Sequence, residues 1–425
     1  MISTQHATEH ATEYVIDPAR WPDVAAAPGS APRAEIARLL FHAAVARLPI
    51  RVRLAGGRLL GAGGADAPLM AVHSPGAFFA RLGAGGLIGV GESYMAGEWD
   101  CADLTALLTV FAANVSDLVP TPLQRLRRLA VRRQPAADEQ TKAGARRNIG
   151  RHYDLSNEFF ALFLDETMTY SSALFETTPQ GSPIFADRLL AQAQRRKIDR
   201  LLDQARVGPG SRLLEIGTGW GQLAIQAAER GATVRTVTIS ARQHELAARR
   251  VAEAGLADRV SVELRDYRDV TGGYDAICSV EMIEAVGDRY WDTYFGKLDE
   301  LLAPGGRIAL QSITMPHDRM MASRRTYTWI LKYIFPGGLI PSVTAIEDSL
   351  RRRTGLRVVD QHDFGPHYAR TLQLWRDRFN TSRDEVLALD FDEVFIRMWE
   401  FYLCYAEAGF LAGYLNVSQL TLERG

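Results

Sequence analysis

Arg212-Leu213-Leu214-Glu215-Ile216-Gly217-Thr218-Gly219-Trp220-Gly221 is the stretch on which the fold turns. A short β-rich run passes straight into glycines at alternate positions, and a helical pattern opens near Gln222. Glycine here lets the backbone come close to a ligand and lets a helix pack tightly on a strand, so this is the first unit of a doubly wound sheet. The turn alone does not choose a ligand, since nicotinamide enzymes use a related one. Glu215, two residues ahead of Gly217, is the methyltransferase form.

Working outward, helical patterns alternate with short β-rich runs at Thr233 to Ser240, Val260 to Leu264, Asp275 to Val280 and Arg307 to Ile313. That alternation predicts a parallel α/β sheet, a doubly wound Rossmann-like methyltransferase fold. Ligands of such sheets sit at the carboxyl ends of the strands. Thr238-Ile239-Ser240 with Gln243, Arg265-Asp266-Tyr267 and Leu302-Ala303-Pro304-Gly305-Gly306 all fall there. The cofactor expected is S-adenosylmethionine. Glu215 would accept from its amino group, Asp266 from the adenine amino group, and Tyr267 would cover the ring. No carboxylate ends the second strand, so Gln243 would meet the ribose.

The remaining composition bounds the answer. With 47% hydrophobic and 23% charged residues the chain is globular. Lys+Arg (49) and Asp+Glu (50) nearly cancel, so there is no global field to draw the protein onto nucleic acid. Cys101, Cys278 and Cys404 lack the pairing of a disulfide framework or a metal site, so no metal is expected and a cytoplasmic setting fits. Met1 to Arg20 has no secretory apolar core, and no stretch approaches the ~20 apolar residues that span a bilayer. At 425 residues more than one unit is expected: a loose tail at 1–20, a small α+β domain at 21–119, a basic linker at 120–147 and the catalytic domain at 148–425. Gly91 to Trp99 reads as a structural turn that packs Tyr94 and Trp99 into a core. Leu123, Leu126 and Leu129 among Arg125, Arg127, Arg128, Arg132 and Arg133 read either as a basic helix lying on an anionic membrane or as a solvated linker.

Arg151-His152-Tyr153-Asp154-Leu155-Ser156-Asn157, Thr167 to Ser171, Ser279-Val280-Glu281-Met282-Ile283-Glu284, Tyr333 to Gly338, Pro341-Ser342 and His367 to Leu372 together resemble the cyclopropane-fatty-acyl-phospholipid synthase family. The resemblance spans almost the whole chain and includes the Gly91 to Trp99 segment of the phospholipid-acting members. It implies that Tyr170, Ser171, Glu215, Gly217, Gly219, Gly221, Thr238, Ile239, Gln243, Asp266 and Tyr267 line the cofactor. It also implies that Glu284 and Tyr368, with Ile313, hold a bicarbonate ion acting as base. Two positions depart from the family pattern: Ser172 stands where it has Cys, and Gln311 where it has His. Ser and Gln still hydrogen-bond, but Gln does not titrate near neutrality. Gln311-Ser312-Ile313-Thr314-Met315-Pro316 and the SVEMIEAVG run from Ser279 to Gly287 most resemble the tuberculostearic-acid (10-methylstearate) methyltransferases of actinobacteria.

The expected reaction is methylation of the cis double bond of an oleoyl phospholipid. Methyl transfer to an alkene leaves a carbocation, which needs aromatic faces and a negative charge nearby. Tyr170, Tyr327, Trp329, Phe335, Tyr368 and Phe410 are candidates for those faces. A hydride shift before proton loss gives a 10-methylene chain, whereas direct closure gives a cyclopropane. The methylene route implies a separate flavin or nicotinamide reductase partner, because the chain has no second dinucleotide fingerprint. The substrate places the enzyme in the cytoplasm, peripherally on the inner face of the membrane, and a homo-oligomer is compatible with everything above. Rival readings are a cyclopropane synthase, a methyltransferase for a soluble small molecule, and a lipid-binding protein with an inactive methyltransferase domain.

Overall fold

The computed structural model describes residues 14–115, 135, 139–142, 144–145, 155–178, 183–185 and 189–425. Most of the expected tail, the linker leucines and arginines between 123 and 133, and Arg151-His152-Tyr153-Asp154 lie outside the described residues. Two compact units result, Met1–Leu129 with Asp390–Tyr405, and Ala130–Leu389 with Ala406–Gly425.

The assignment of 390–405 differs from the sequence reading, which placed all of 148–425 in one catalytic domain. Helix Glu393–Leu411 explains the difference. Its Val394, Phe395, Ile396, Met398, Trp399 and Phe401 are all buried. Arg397 donates to Tyr94 O at 2.6 Å and to Asp100 Oδ1 at 2.7 Å, and its guanidinium lies 4.0 Å from the Tyr94 ring centroid. Tyr94 in turn donates to Glu400 Oε2 at 2.7 Å. An apolar periodicity shows that a helix is buried, not which core receives it.

Within this first unit four strands, β1 (Arg51–Leu54), β2 (Leu59–Leu60), β3 (Leu69–Val72) and β4 (Trp99–Cys101), lie in the order β2-β1-β3-β4. Helices Ala31–Val45 and Pro75–Gly85 meet through edge-to-face contacts of Phe41 with Phe78 and Phe79 at 5.2 and 5.8 Å. Gly91 to Trp99 is not one turn. Leu87–Met95 is helical, and the reversal is confined to Ala96 to Glu98, where Gly97 has φ +70°. Tyr94 and Trp99 are buried as expected.

The second unit is built on seven strands: β5 (Arg212–Ile216), β6 (Thr233–Thr238), β7 (Val260–Leu264), β8 (Tyr274–Val280), β9 (Leu302–Thr314), β10 (Leu356–Asp363) and β11 (Asn416–Arg424). Their order is β10-β11-β9-β8-β5-β6-β7, with β9-β8-β5-β6-β7 parallel and β11 antiparallel to both neighbours. Side chains alternate between two cores. Leu214, Ile277, Ile308 and Leu310 face helices Trp291–Leu301 and Val343–Arg353, while Leu213, Ala276, Cys278 and Ala309 face helices Leu190–Gln204 and Gln222–Glu229. Both faces of the sheet are therefore covered, as doubly wound topology requires. The chain leaves β5 toward β6 on one side and later returns to β8 on the other, so the topological switch point lies between β5 and β8.

Candidate active site

At the carboxyl ends of the parallel strands a cleft opens. Tyr170, Ser171, Glu215, Gly217, Gly219, Thr238, Ile239, Gln243, Asp266 and Tyr267, ten of the residues expected to bind cofactor, line it. Gly221, the eleventh, does not. It caps helix Gln222–Glu229 with φ +90°, and a Cβ there would meet Ala247 Cβ at 3.3 Å, so its role is close helix packing. A Cβ on Gly219 would meet nothing, which leaves the cleft open at that point. Arg250 holds this turn from behind, donating to Trp220 O at 2.7 Å and Thr167 O at 3.0 Å.

Glu215 is buried at the floor, and its Oε2 has no partner among the described residues. Burial pushes its carboxyl up to about 8. An orphaned acceptor beside an open glycine turn fits a ligand carrying an ammonium group, as S-adenosylmethionine does. Thr238 Oγ1, at the end of β6, donates to Gln243 Oε1 at 2.8 Å and so fixes the Gln243 amide at the edge of the cleft. Asp266 is gripped by Arg268, which donates from Nε at 2.8 Å, from Nη2 at 2.6 Å and from its backbone N at 3.0 Å. Against the effect of burial, Arg268 holds the Asp266 carboxyl below the usual range. The same guanidinium lies 5.5 Å from the Tyr267 ring centroid.

A second constellation sits where β8 ends, and its centre is Glu281. This residue has φ +49°, in the left-handed region that a non-glycine residue adopts only when its surroundings enforce it. Its N–H donates to Gln311 O at 2.7 Å. Three donors converge on its carboxylate: Ser172 N at 2.9 Å and Gln311 Nε2 at 2.8 Å on Oε1, and Tyr368 Oη at 2.7 Å on Oε2. Burial raises the Glu281 carboxyl, while the Lys197 charge and these hydrogen bonds oppose that rise. Lys197 is itself fully buried, lines the cleft and donates to Ser171 Oγ at 2.6 Å. Burial pulls its ammonium down to about 8.

Three sequence expectations change here. Glu284 does not meet Tyr368. It lies in the turn behind Glu281, accepting from Ser312 Oγ at 2.9 Å and from Ile313 N, with Oε2 unpartnered among the described residues. Burial and the neighbouring Glu281 push its carboxyl up to about 8. The Ser172 hydroxyl points away, donating to Ala173 O at 3.1 Å, so only the backbone of Ser172 serves the centre. Bicarbonate does not fit, because Ser172 N, Gln311 Nε2 and Tyr368 Oη already converge on one carboxylate, which stands where the ion was expected.

An aromatic wall continues from this point. Tyr170 lies 5.2 Å from Trp375, Trp375 lies 6.2 Å from Tyr368, and Tyr368 lies 4.6 Å from Phe410. Trp329, another candidate for such a face, packs on Tyr333 at 5.5 Å. Sequence reasoning did not single out Glu281, Lys197, Arg250, Arg268 or Trp375. For Glu281 a signal was present, since a charged residue directly follows β8 at the switch point. The described residues hold no cluster of His, Cys, Asp and Glu suited to a metal and no helix long and apolar enough to cross a membrane.

Comparison with known proteins gives the chain's relatives. The family model described as mycolic acid cyclopropane synthetase matches residues 140–420. The tuberculostearic acid methyltransferase UfaA1 of Mycobacterium tuberculosis is 53% identical over 421 residues, covering 98% of each chain. The cyclopropane-fatty-acyl-phospholipid synthase of Escherichia coli K12 is 35% identical over 351 residues, 82% of this chain and 86% of that one. Among solved structures, mycolic acid cyclopropane synthase CmaA1 complexed with SAH and CTAB superposes with a TM-score of 0.59 at 30% identity, covering 68% of this chain and 99% of that one.

Proposed function

The chain belongs to the mycolic acid cyclopropane synthetase family, and on that premise we propose that it uses S-adenosylmethionine to methylate the cis double bond of an oleoyl phospholipid, leaving a 10-methylene chain, the precursor of 10-methylstearate. Likeness to the tuberculostearic acid methyltransferase over nearly the whole of both chains supports the substrate. The observation that carries the chemistry is the Glu281 carboxylate held by Ser172 N, Gln311 Nε2 and Tyr368 Oη.

Tyr170, Glu215, Gly217, Gly219, Ile239, Gln243, Asp266 and Tyr267 would hold the cofactor, which supplies an electrophilic methyl group when bound. The chain's own part is to hold the alkene in line in a dry pocket. Tyr170, which lines the cleft, would present its ring to the carbocation that methylation leaves on the lipid, with Trp375, Tyr368 and Phe410 in the aromatic chain next to it. Glu281 offsets that positive charge and then takes the proton, the role expected of bicarbonate. In the methylene route a hydride shifts from the methylated carbon to the neighbouring cationic carbon, and the tertiary cation so formed loses a proton from the new methyl to Glu281. Reduction to 10-methylstearate falls to a separate flavin or nicotinamide reductase, and the lipid substrate brings the enzyme to the inner face of the membrane as a peripheral protein.

The test is to incubate the pure enzyme with an oleoyl phospholipid and S-adenosylmethionine, without reductase, and to read the lipid by proton NMR. Vinylidene protons are expected. Upfield cyclopropane protons as the main signal would instead establish the cyclopropane synthase reading, which the 35% identity to the Escherichia coli enzyme favours.

A further inference from the structure

Gln311 faces Glu281 with an amide, a group that presents either a donor or an acceptor depending on a half-turn of its last bond. Only the NH2 orientation supports an ionised base. On the far side of Gln311, β11 pairs with β9 and puts Gln419 opposite Gln311 in register. Gln419 Nε2 donates to Gln311 Oε1 at 3.1 Å and to the backbone carbonyl of Lys197 at 3.1 Å. Its Oε1 accepts from Arg200 Nη1 at 2.9 Å, and Arg200 is tied by Nη2 to Asp360 Oδ2 at 2.9 Å.

The partners of Gln419 are unambiguous in a way that those of Gln311 are not. A backbone carbonyl only accepts and a guanidinium only donates. Reversing Gln419 would set its oxygen against the Lys197 carbonyl and its NH2 against Arg200, so its orientation is fixed from outside. Gln311 then has one arrangement that satisfies every neighbour: Oε1 toward Gln419, and Nε2 toward Ser172 O at 3.3 Å and Glu281 Oε1 at 2.8 Å.

We propose that Gln419, anchored by Arg200, is a positioning residue for the reaction: it locks the Gln311 amide with its NH2 toward Glu281 and so keeps Glu281 ionised and in place. This rests on the reading of Glu281 as the base. No sequence motif marks it: Gln419 lies more than a hundred residues beyond Gln311, in β11. Among the described residues, the other titratable or charged groups that act on Glu281 are Lys197, Tyr368 and Glu284. All three remain in the variants below.

The experiment measures turnover of an oleoyl phospholipid against pH in the full-length enzyme carrying Gln419→Leu or the isosteric Gln419→Glu, with KM and thermal unfolding alongside. Losing the donor frees Gln311 to turn its oxygen toward Glu281. The expected results are a fall in kcat of about tenfold or more, the effect of one lost hydrogen bond to a charged group, and an acid limb moved to higher pH. KM for S-adenosylmethionine should stay within about twofold. In a Gln311→Leu background, Gln419→Leu should add almost nothing, because its route of action is gone. An unchanged acid limb in a folded Gln419→Glu enzyme, or losses that simply multiply in the double variant, would overturn the proposal. Glu281→Gln runs beside these as a control. If it keeps full turnover, the base reading fails and this inference with it. If it is inactive while both Gln419 variants behave as wild type, the positioning role alone fails.

Discussion

Two carboxylates three residues apart, Glu281 and Glu284, differ in role because of one backbone torsion. At φ +49° Glu281 turns its side chain to the cleft, while Glu284 in the following 3-10 turn reaches Ser312 and Ile313. Glu281→Gln should therefore cost about a hundredfold or more in turnover, the usual range for a lost acid–base group. Affinity for S-adenosylmethionine, measured by calorimetry, should hardly change. Ser172→Ala should keep turnover within about threefold, since only the backbone of Ser172 serves the site, and a hundredfold loss would show that the hydroxyl matters after all. The motif around Glu281 was legible in the sequence, but the torsion that selects between two glutamates was not. Glu215 gives a pH signature. Its folded carboxyl, near 8, holds a proton that the unfolded chain releases near its ordinary range, so this group stabilises the ligand-free fold at low pH and that stability is lost as pH rises toward and through 8. The melting temperature of the ligand-free enzyme should fall between about pH 5 and 8, less so in Glu215→Gln. Binding of the cofactor's ammonium near pH 7 should release protons, read by calorimetry in buffers of different ionisation enthalpy, and no release would place that ammonium elsewhere.

The glycine turn between β5 and helix Gln222–Glu229 was the most legible element, because its three glycines announce themselves in sequence. Their jobs are less uniform than the spacing suggests. Gly219 keeps the cleft open, whereas Gly221 lets the helix approach Ala247 at φ +90°. Gly221→Ala should destabilise the fold by about 1–3 kcal/mol through backbone strain, lowering the melting temperature whether or not cofactor is present. A loss of cofactor affinity at unchanged stability would return Gly221 to the binding site. β10 and β11 were not read from sequence. They carry no glycine turn and no ligand loop, and in β11 the residues Val417 to Leu422 are all buried, since both faces of the strand are covered. The alternation that marks a half-exposed strand is thus erased in the element that supplies Gln419.

At the scale of the molecule, the sequence placed a boundary within the basic linker but could not show that the first unit is discontinuous. Deleting residues 1–129 should not release a well-behaved catalytic unit. Val394, Phe395, Ile396, Met398, Trp399 and Phe401 would lose the core that buries them, each worth about 1.5–3 kcal/mol. Aggregation on size-exclusion chromatography is expected, and a monodisperse, cofactor-binding fragment would show that this helix finds cover without the first unit. The same discontinuity sets a timetable for synthesis. Domains generally fold as they emerge, the N-terminal one first. Here the first unit leaves the ribosome without the segment Asp390–Tyr405 that completes it and must wait, with Tyr94 and Asp100 lacking their Arg397, until all of Ala130–Leu389 has been made. The part of the protein made first is thus among the last to be finished, and a nascent chain stalled anywhere in that interval should be a client for chaperones.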